Sequence, residues 1–120
     1  MADINTPSAQ IIREAIAEAT VKDGKGRSIT LTKPGVLAQF RLVEAVGPET
    51  AKNAVYMNMV MPLIYVTRID GDDVPKPTTK REVEALIQRL GEEGIEAVML
   101  GVKANYDERN AEQDKAALGN

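Results

Sequence analysis

Carboxylates are the side chains most able to do chemistry in this chain, because it contains no cysteine and no histidine. Those two residues supply thiolate nucleophiles, the usual general base and the commonest metal ligand. Three aspartates lie within the run Asp70-Gly71-Asp72-Asp73, and clustered oxygen atoms can bind Ca²⁺ or Mg²⁺. An EF-hand loop starting at Asp70 would need glycine and glutamate where the chain has Pro75 and Arg81. We therefore interpret the run as a solvated hairpin turn and expect no metal site.

A second polar run, DGKGRS at residues 23–28, combines two glycines with two cations. A phosphate-binding P-loop has a different spacing, follows a buried strand and leads into a helix. Here the sequence pattern places a helix before the run and a strand after it, which indicates a tight turn and no cofactor site. The acidic pairs in 82–84 and 92–93 fall at helix starts, where they complement the helix dipole. No nucleophile, base and oxyanion site converge, so we expect no catalytic residue and no enzymatic activity.

Length and composition set further bounds. The 120 residues suffice for one domain, and 43% hydrophobic content supports a core of largely aliphatic side chains. A net charge of −3 argues against a nucleic-acid surface, which requires clustered cations. The apolar stretch 54–69 is too short and too interrupted to span a bilayer. The N-terminus lacks the features of a signal peptide, so a cytoplasmic location is expected.

In the first half of the chain, the pattern predicts a helix that begins at Thr6-Pro7 and ends within 20–22. Alternating residues in 28–32 predict a strand with Ile29 and Leu31 facing the core. A second helix should begin at Pro34 and end at Gly47. Its expected core-facing stripe consists of Val36, Leu37, Phe40, Val43 and Ala45 or Val46.

In the second half, a helix is expected from Pro48 to Met61 and a strand over 63–69, because Pro62 disfavours a helix interior. Asp70-Gly71 should form the turn of a hairpin. A capping box at Thr79-Lys80-Arg81-Glu82 predicts a further helix that Gly91 closes. Its expected core residues, which we expect to meet Phe40, are Val83, Leu86, Ile87 and Leu90.

A last helix is expected to carry Ile95, Val98, Met99 and Val102. The chain is then polar, so we expect a single domain over 1–104 and a flexible tail over 105–120. Short strands within a mostly helical sequence predict a small α+β domain with a two- or three-stranded β element.

Three passages of the sequence together resemble one known family. They are DGKGRSITLTKPG, then, after a central helical region, VTRIDGDDVPKP, and, directly after Thr78, TKREVEALIQRLGEEGIEAVMLGV. This succession, over about residues 23–104, is similar to the tail assembly chaperones of long-tailed bacteriophages and prophages. The shared pattern is a basic segment, a strand, Ile-Asp-Gly, proline, an amphipathic helix, Leu-Gly and a second helix.

The resemblance implies a non-enzymatic, largely helical protein that coats the tape measure protein in the host cytoplasm. It also implies a frameshift-extended form of the chain as a partner, and binding of several copies along one client implies weak homo-oligomerisation. No cofactor, nucleic acid or membrane is expected as a partner. We expect the partner-binding residues to be apolar side chains in two groups: Met57, Met59 and Met61, and Ile95, Val98, Met99 and Val102. The alternatives are a structural tail or connector subunit and a small acidic regulatory partner protein.

Overall fold

The computed structural model describes residues 18–106, and its first element is a β-hairpin. Strand β1, Ala19–Lys22, pairs antiparallel with β2, Ser28–Leu31. The expectation that the first helix extends to 20–22 is therefore wrong, because the β-branched residues Thr20 and Val21 pair across the hairpin. The rest of that helix, 6–17, lies outside the described residues.

The hairpin continues into a four-stranded antiparallel sheet in the order β1-β2-β3-β4, where β3 is Val66–Ile69 and β4 is Asp72–Asp73. The α+β class is confirmed, although the sheet has more strands than expected. The hairpin turn is also confirmed: Asp70 and Gly71 have φ of 50° and 84°, and two positive φ values characterise a type I′ turn. The Asp70 carboxylate accepts a hydrogen bond from the Ser28 N–H at 2.8 Å.

Three helices and a 3₁₀ turn lie between β2 and β3. They are α1, Val36–Val46; α2, Pro48–Ala51; α3, Ala54–Val60; and the 3₁₀ turn Met61–Tyr65. The helix expected from Pro48 to Met61 is thus interrupted at Asn53, whose side chain caps α3 by accepting the Tyr56 N–H at 3.1 Å. The strand expected over 63–69 begins only at Val66, because Pro62 lies at the second position of the 3₁₀ turn, where a proline is tolerated, and does not end helical structure.

The longest helical element, α4, spans Lys80–Tyr106 and is broken at Gly91, which has φ 67° and ψ −174°. The expected capping box forms only in part: Thr79 Oγ1 accepts the Glu82 N–H at 3.1 Å, but the Glu82 carboxylate accepts the Thr78 N–H at 2.9 Å rather than that of Thr79. At the break, the Arg27 guanidinium donates to the Arg89 and Leu90 carbonyls at 2.9 and 2.6 Å. A side chain from the β1–β2 hairpin therefore satisfies carbonyls that the end of the first half of α4 leaves without helical partners.

The second half of α4 packs closely against the β1–β2 hairpin through small residues. Gly94, Val98 and Gly101 are its buried residues, spaced four and then three positions apart so that they share one face. At Tyr106, the hydroxyl donates to the Leu31 carbonyl at 3.2 Å, and the ring lies 5.4 Å from that of Tyr65. The helix thus continues two residues beyond the domain boundary expected at 104, and 107–120 lie outside the described residues.

The core contains both strand residues expected there, Ile29 and Leu31, and the expected face of α4. Val83, Leu86 and Leu90 are buried, and Ile87 packs partly against them. The expected burial of Phe40 is wrong, because its side chain is 63% exposed. Among residues 18–106, no helix is long and apolar enough to cross a membrane.

Candidate interaction surface

Helix α1 is apolar on two opposite sides, so one apolar face packs on the core and the other is exposed on the surface of the domain. Ala38, Leu42, Ala45 and Val46 pack on or within the core, with helical spacing that defines one face. A second set repeats at positions i, i+1, i+4 and i+7 and points away from the core: Val36, Leu37, Phe40 and Val43. These four side chains, here called the α1 outer face, are 40% to 67% exposed.

The expected core stripe of α1 is consequently wrong for most of its members. It combined the whole α1 outer face with Ala45 or Val46, of which Val46 is buried. The sequence favoured that stripe because it holds the larger side chains, among them the single phenylalanine. The structure instead packs Leu42 and two small alanines inward, which lets α1 approach the 3₁₀ turn and α4. A second apolar stripe in α1 was the signal that one face would lack an internal partner.

The residues expected to bind a partner lie on three elements, α3, the 3₁₀ turn and α4, and differ in exposure. Val98 is 0% exposed and belongs to the core, which corrects its expected place on a surface. Met57, Met61, Ile95 and Val102 are partly buried against the core. Met59 on α3 and Met99 on α4 are the two with substantial exposure. Contact between the exposed residues of this group and a partner stays a prediction.

Two clefts adjoin the irregular segment 74–78, one between it and α4 and the other between it and α1. The larger, about 460 Å³, is bounded by 74–78 and by the side chains of Glu82, Ala85, Leu86 and Arg89 on α4. The smaller, about 220 Å³, is bounded by Leu37, Ala38 and Arg41 of α1, by Ile64 and by residues 76–78. Both clefts share Lys76, Pro77 and Thr78, and Leu37 connects the smaller one to the α1 outer face. We call them together the double cleft.

The segment between the clefts is fixed by hydrogen bonds at both ends. The Val74 N–H donates to the Thr67 carbonyl at 2.9 Å, and the Thr78 N–H donates to the Glu82 carboxylate at 2.9 Å. Between them, the Lys76 ammonium group donates to the Ile64 carbonyl. Desolvation by burial lowers the pKa of Lys76 because a low-dielectric environment disfavours the charged form.

The two polar runs singled out in the sequence both stabilise turns. Asp23 in the first run accepts the Lys25 and Arg27 N–H groups at 2.9 Å each, and its other oxygen accepts Arg27 Nε at 2.7 Å. Burial by itself raises the pKa of the Asp23 carboxyl, but the hydrogen bonds from Arg27 and Lys25 and the Arg27 charge outweigh it. The pKa is therefore lowered overall.

In the second run, the Asp70 carboxylate accepts the hydrogen bond from the Ser28 N–H of β2, and Asp73 forms an ion pair with Arg68 at 3.4 Å. Within residues 18–106, no group of three or more carboxylates is arranged to hold a metal ion. The absence of a bound metal from this protein stays a prediction, and so does the absence of a catalytic site.

No family model, no curated protein and no solved structure matches the chain. A hypothesis about function therefore depends on the sequence resemblance and on the geometry of the α1 outer face and the double cleft. Sequence reasoning missed both features. The α1 outer face was visible as a second stripe, whereas the clefts form only when α1, the 3₁₀ turn and α4 come together.

Proposed function

We propose that this protein is a phage tail assembly chaperone that binds the tape measure protein through the α1 outer face, without enzymatic activity. The observation that carries the proposal is the exposure of Val36, Leu37, Phe40 and Val43 along one side of a single helix. Contiguous exposed apolar side chains on a water-facing domain usually mark a partner site. A helix that presents apolar residues at i, i+4 and i+7 suits a helical partner segment.

The size of the surface supports binding of many copies to one client. Fully burying a Val, Leu or Phe side chain contributes roughly 1.5–3 kcal/mol. The four side chains of the α1 outer face average somewhat over half exposed, so covering them would contribute roughly 3–7 kcal/mol. Losses of motional freedom on association reduce this figure, and about 4 kcal/mol corresponds to only millimolar affinity. One copy would thus bind weakly, and a long client with repeated apolar segments would gain by multivalency.

The test is co-expression with the long helical protein encoded in the same gene cluster. We expect the client to be soluble and to co-purify only when this protein is present. Leu37→Ser and Phe40→Ser should weaken the complex. Leu100→Ser is the matched control, because Leu100 on α4 is 62% exposed and Leu37 is 61% exposed. Circular dichroism should show that all three variants remain folded.

Two outcomes would count against the proposal. The chaperone function fails if the client is equally soluble without this protein and forms no complex with it or with its frameshift-extended form. The location of the surface fails if Leu100→Ser abolishes binding while Leu37→Ser and Phe40→Ser do not, since this pattern places the contact on the second half of α4. Stable incorporation of the protein into purified particles would instead favour a structural tail subunit.

A further inference from the structure

The double cleft has an apolar lining and a charged border. In the larger cleft, Val74, Pro77 and Leu86 contribute apolar surface, and in the smaller one Leu37 and Ile64 do. A cleft of about 460 Å³ falls within the range of protein binding pockets. Since both clefts are open and share the 76–78 segment, a single extended or helical peptide can place neighbouring side chains in both of them.

The charge of the double cleft is opposite to that of the chain. Its charged lining residues are Arg41, Lys76 and Arg89 against the one carboxylate of Glu82, whereas the whole chain carries −3. Glu82 is already engaged by the Thr78 N–H and hydroxyl at 2.9 and 3.0 Å. Within residues 18–106, neither the Arg41 nor the Arg89 side chain forms an ion pair. Two guanidinium groups therefore face solvent at the edges of an apolar depression.

We propose that the double cleft binds an acidic amphipathic peptide segment. The apolar side chains of the segment enter the two clefts, and its carboxylates pair with Arg41 and Arg89 on either side. The inference rests on the proposed function in one respect, namely that the segment belongs to the client of the α1 outer face. It adds the chemistry that distinguishes this client from other apolar helices, because charge complementarity selects partners more strongly than apolar contact does.

Lys76 at the centre of the double cleft supports an anionic partner. Its ammonium group is half-buried and has the Ile64 carbonyl as its acceptor. A partly desolvated cation of this kind is stabilised when a carboxylate approaches it. The mainly apolar lining favours an acidic peptide over a nucleic acid, because nucleic-acid surfaces require runs of exposed cations along a phosphate backbone.

The experiment uses the full chain and two synthetic peptides of about 15 residues, which span about 22 Å as helices. Both carry leucine at the same helical positions, and their remaining positions are mainly glutamate in one peptide and lysine in the other. Titration into ¹⁵N-labelled protein should show saturable shifts with the glutamate peptide at residues 74–78, Arg41 and Arg89. The lysine peptide should give none there. The affinity for the glutamate peptide should fall as salt is raised.

Variants test the role of the two arginines. An exposed ion pair contributes about a two- to fivefold change in affinity, so the double variant Arg41→Gln/Arg89→Gln should bind the glutamate peptide about tenfold more weakly. Lys103→Gln removes one exposed charge outside the double cleft and should leave affinity unchanged.

Equal binding of both peptides, shifts confined to other surfaces, or no effect of the double variant would overturn the inference. Tighter binding of a single-stranded oligonucleotide at the same residues would also overturn it, in favour of a nucleic-acid site. These failures are distinguishable from failure of the proposed function. Solubilisation of the tape measure protein without a preference for the glutamate peptide leaves the chaperone proposal standing. Selective binding of that peptide without any effect on the tape measure protein would support the peptide site in the double cleft and contradict the chaperone proposal.

Discussion

Replacing Gly101 by alanine has two opposing effects on the free energy of unfolding, a gain in helix propensity and a loss from overpacking. The structure indicates that the loss is larger. Alanine in a helix interior is favoured over glycine by about 1 kcal/mol. A Cβ at position 101, however, would lie 2.8 Å from both Leu31 Cδ1 and Val21 Cγ1. Leu31 is fully buried and cannot turn outward, while Val21 is β-branched and restricted at χ1.

Overpacking of a core typically costs 1–3 kcal/mol, and two constrained neighbours put Gly101→Ala toward the upper part of that range. After the gain in helix propensity, we expect a net destabilisation of about 1–2 kcal/mol. For a domain of this size, that corresponds to a melting temperature lower by roughly 5–10 °C. Urea unfolding followed by circular dichroism measures the free energy of unfolding directly.

Two controls separate the gain in helix propensity from the cost of overpacking. Comparing Glu96→Gly with Glu96→Ala, at an exposed position in the same half of α4, measures helix propensity without the clash. Adding Val21→Ala to Gly101→Ala should relieve part of the overpacking, with a favourable coupling of about 1 kcal/mol in a double-mutant cycle. If Gly101→Ala stabilises the protein by about 1 kcal/mol and shows no coupling to Val21, the reasoning is refuted.

Three further predictions concern the core and its polar groups. Leu86 is 7% exposed, so Leu86→Ala should reduce the free energy of unfolding by roughly 2–5 kcal/mol; an unchanged urea midpoint would show that the first half of α4 is peripheral. The Tyr56 hydroxyl is buried without a hydrogen-bond partner among the described residues, so Tyr56→Phe should stabilise by about 1 kcal/mol, and a loss of stability would reveal a partner. The pKa of Asp23 is lowered from an ordinary value of 3.8, so its stabilising contribution is present above that pH and is lost as pH falls through the folded-state pKa. Acid unfolding curves should therefore show a shallower decline below pH 3.8 for Asp23→Asn than for the unaltered chain, and parallel curves would contradict this assignment.

Local sequence signals predicted the turns, caps and much of the core. The Asp70-Gly71 turn, the Thr79 cap of α4 and the glycine break at Gly91 each depend on a few adjacent residues, and all three are present. The buried face of the first half of α4 followed from spacing alone. Such features are predictable because the backbone conformation they require is set by neighbouring side chains.

Errors arose where tertiary packing decides between two local possibilities. Residues 63–65 have the composition of a strand but form a 3₁₀ turn, with Leu63 and Ile64 buried. Helix α1 has two apolar stripes, and only its neighbours determine which one is covered. The double cleft could not be predicted because it joins residues from α1, the 3₁₀ turn and α4, which are distant in sequence.

The contacts of Arg27 and Gly101 tie α4 to the β1–β2 hairpin on both sides of the break at Gly91. Arg27 reaches from the hairpin to the Arg89 and Leu90 carbonyls, and Gly101 brings the helix against Val21 and Leu31. Local opening of a protein proceeds in cooperative units defined by such mutual contacts. The hairpin and residues 89–106 should consequently exchange their amide hydrogens as one unit, although about 60 residues separate them along the chain.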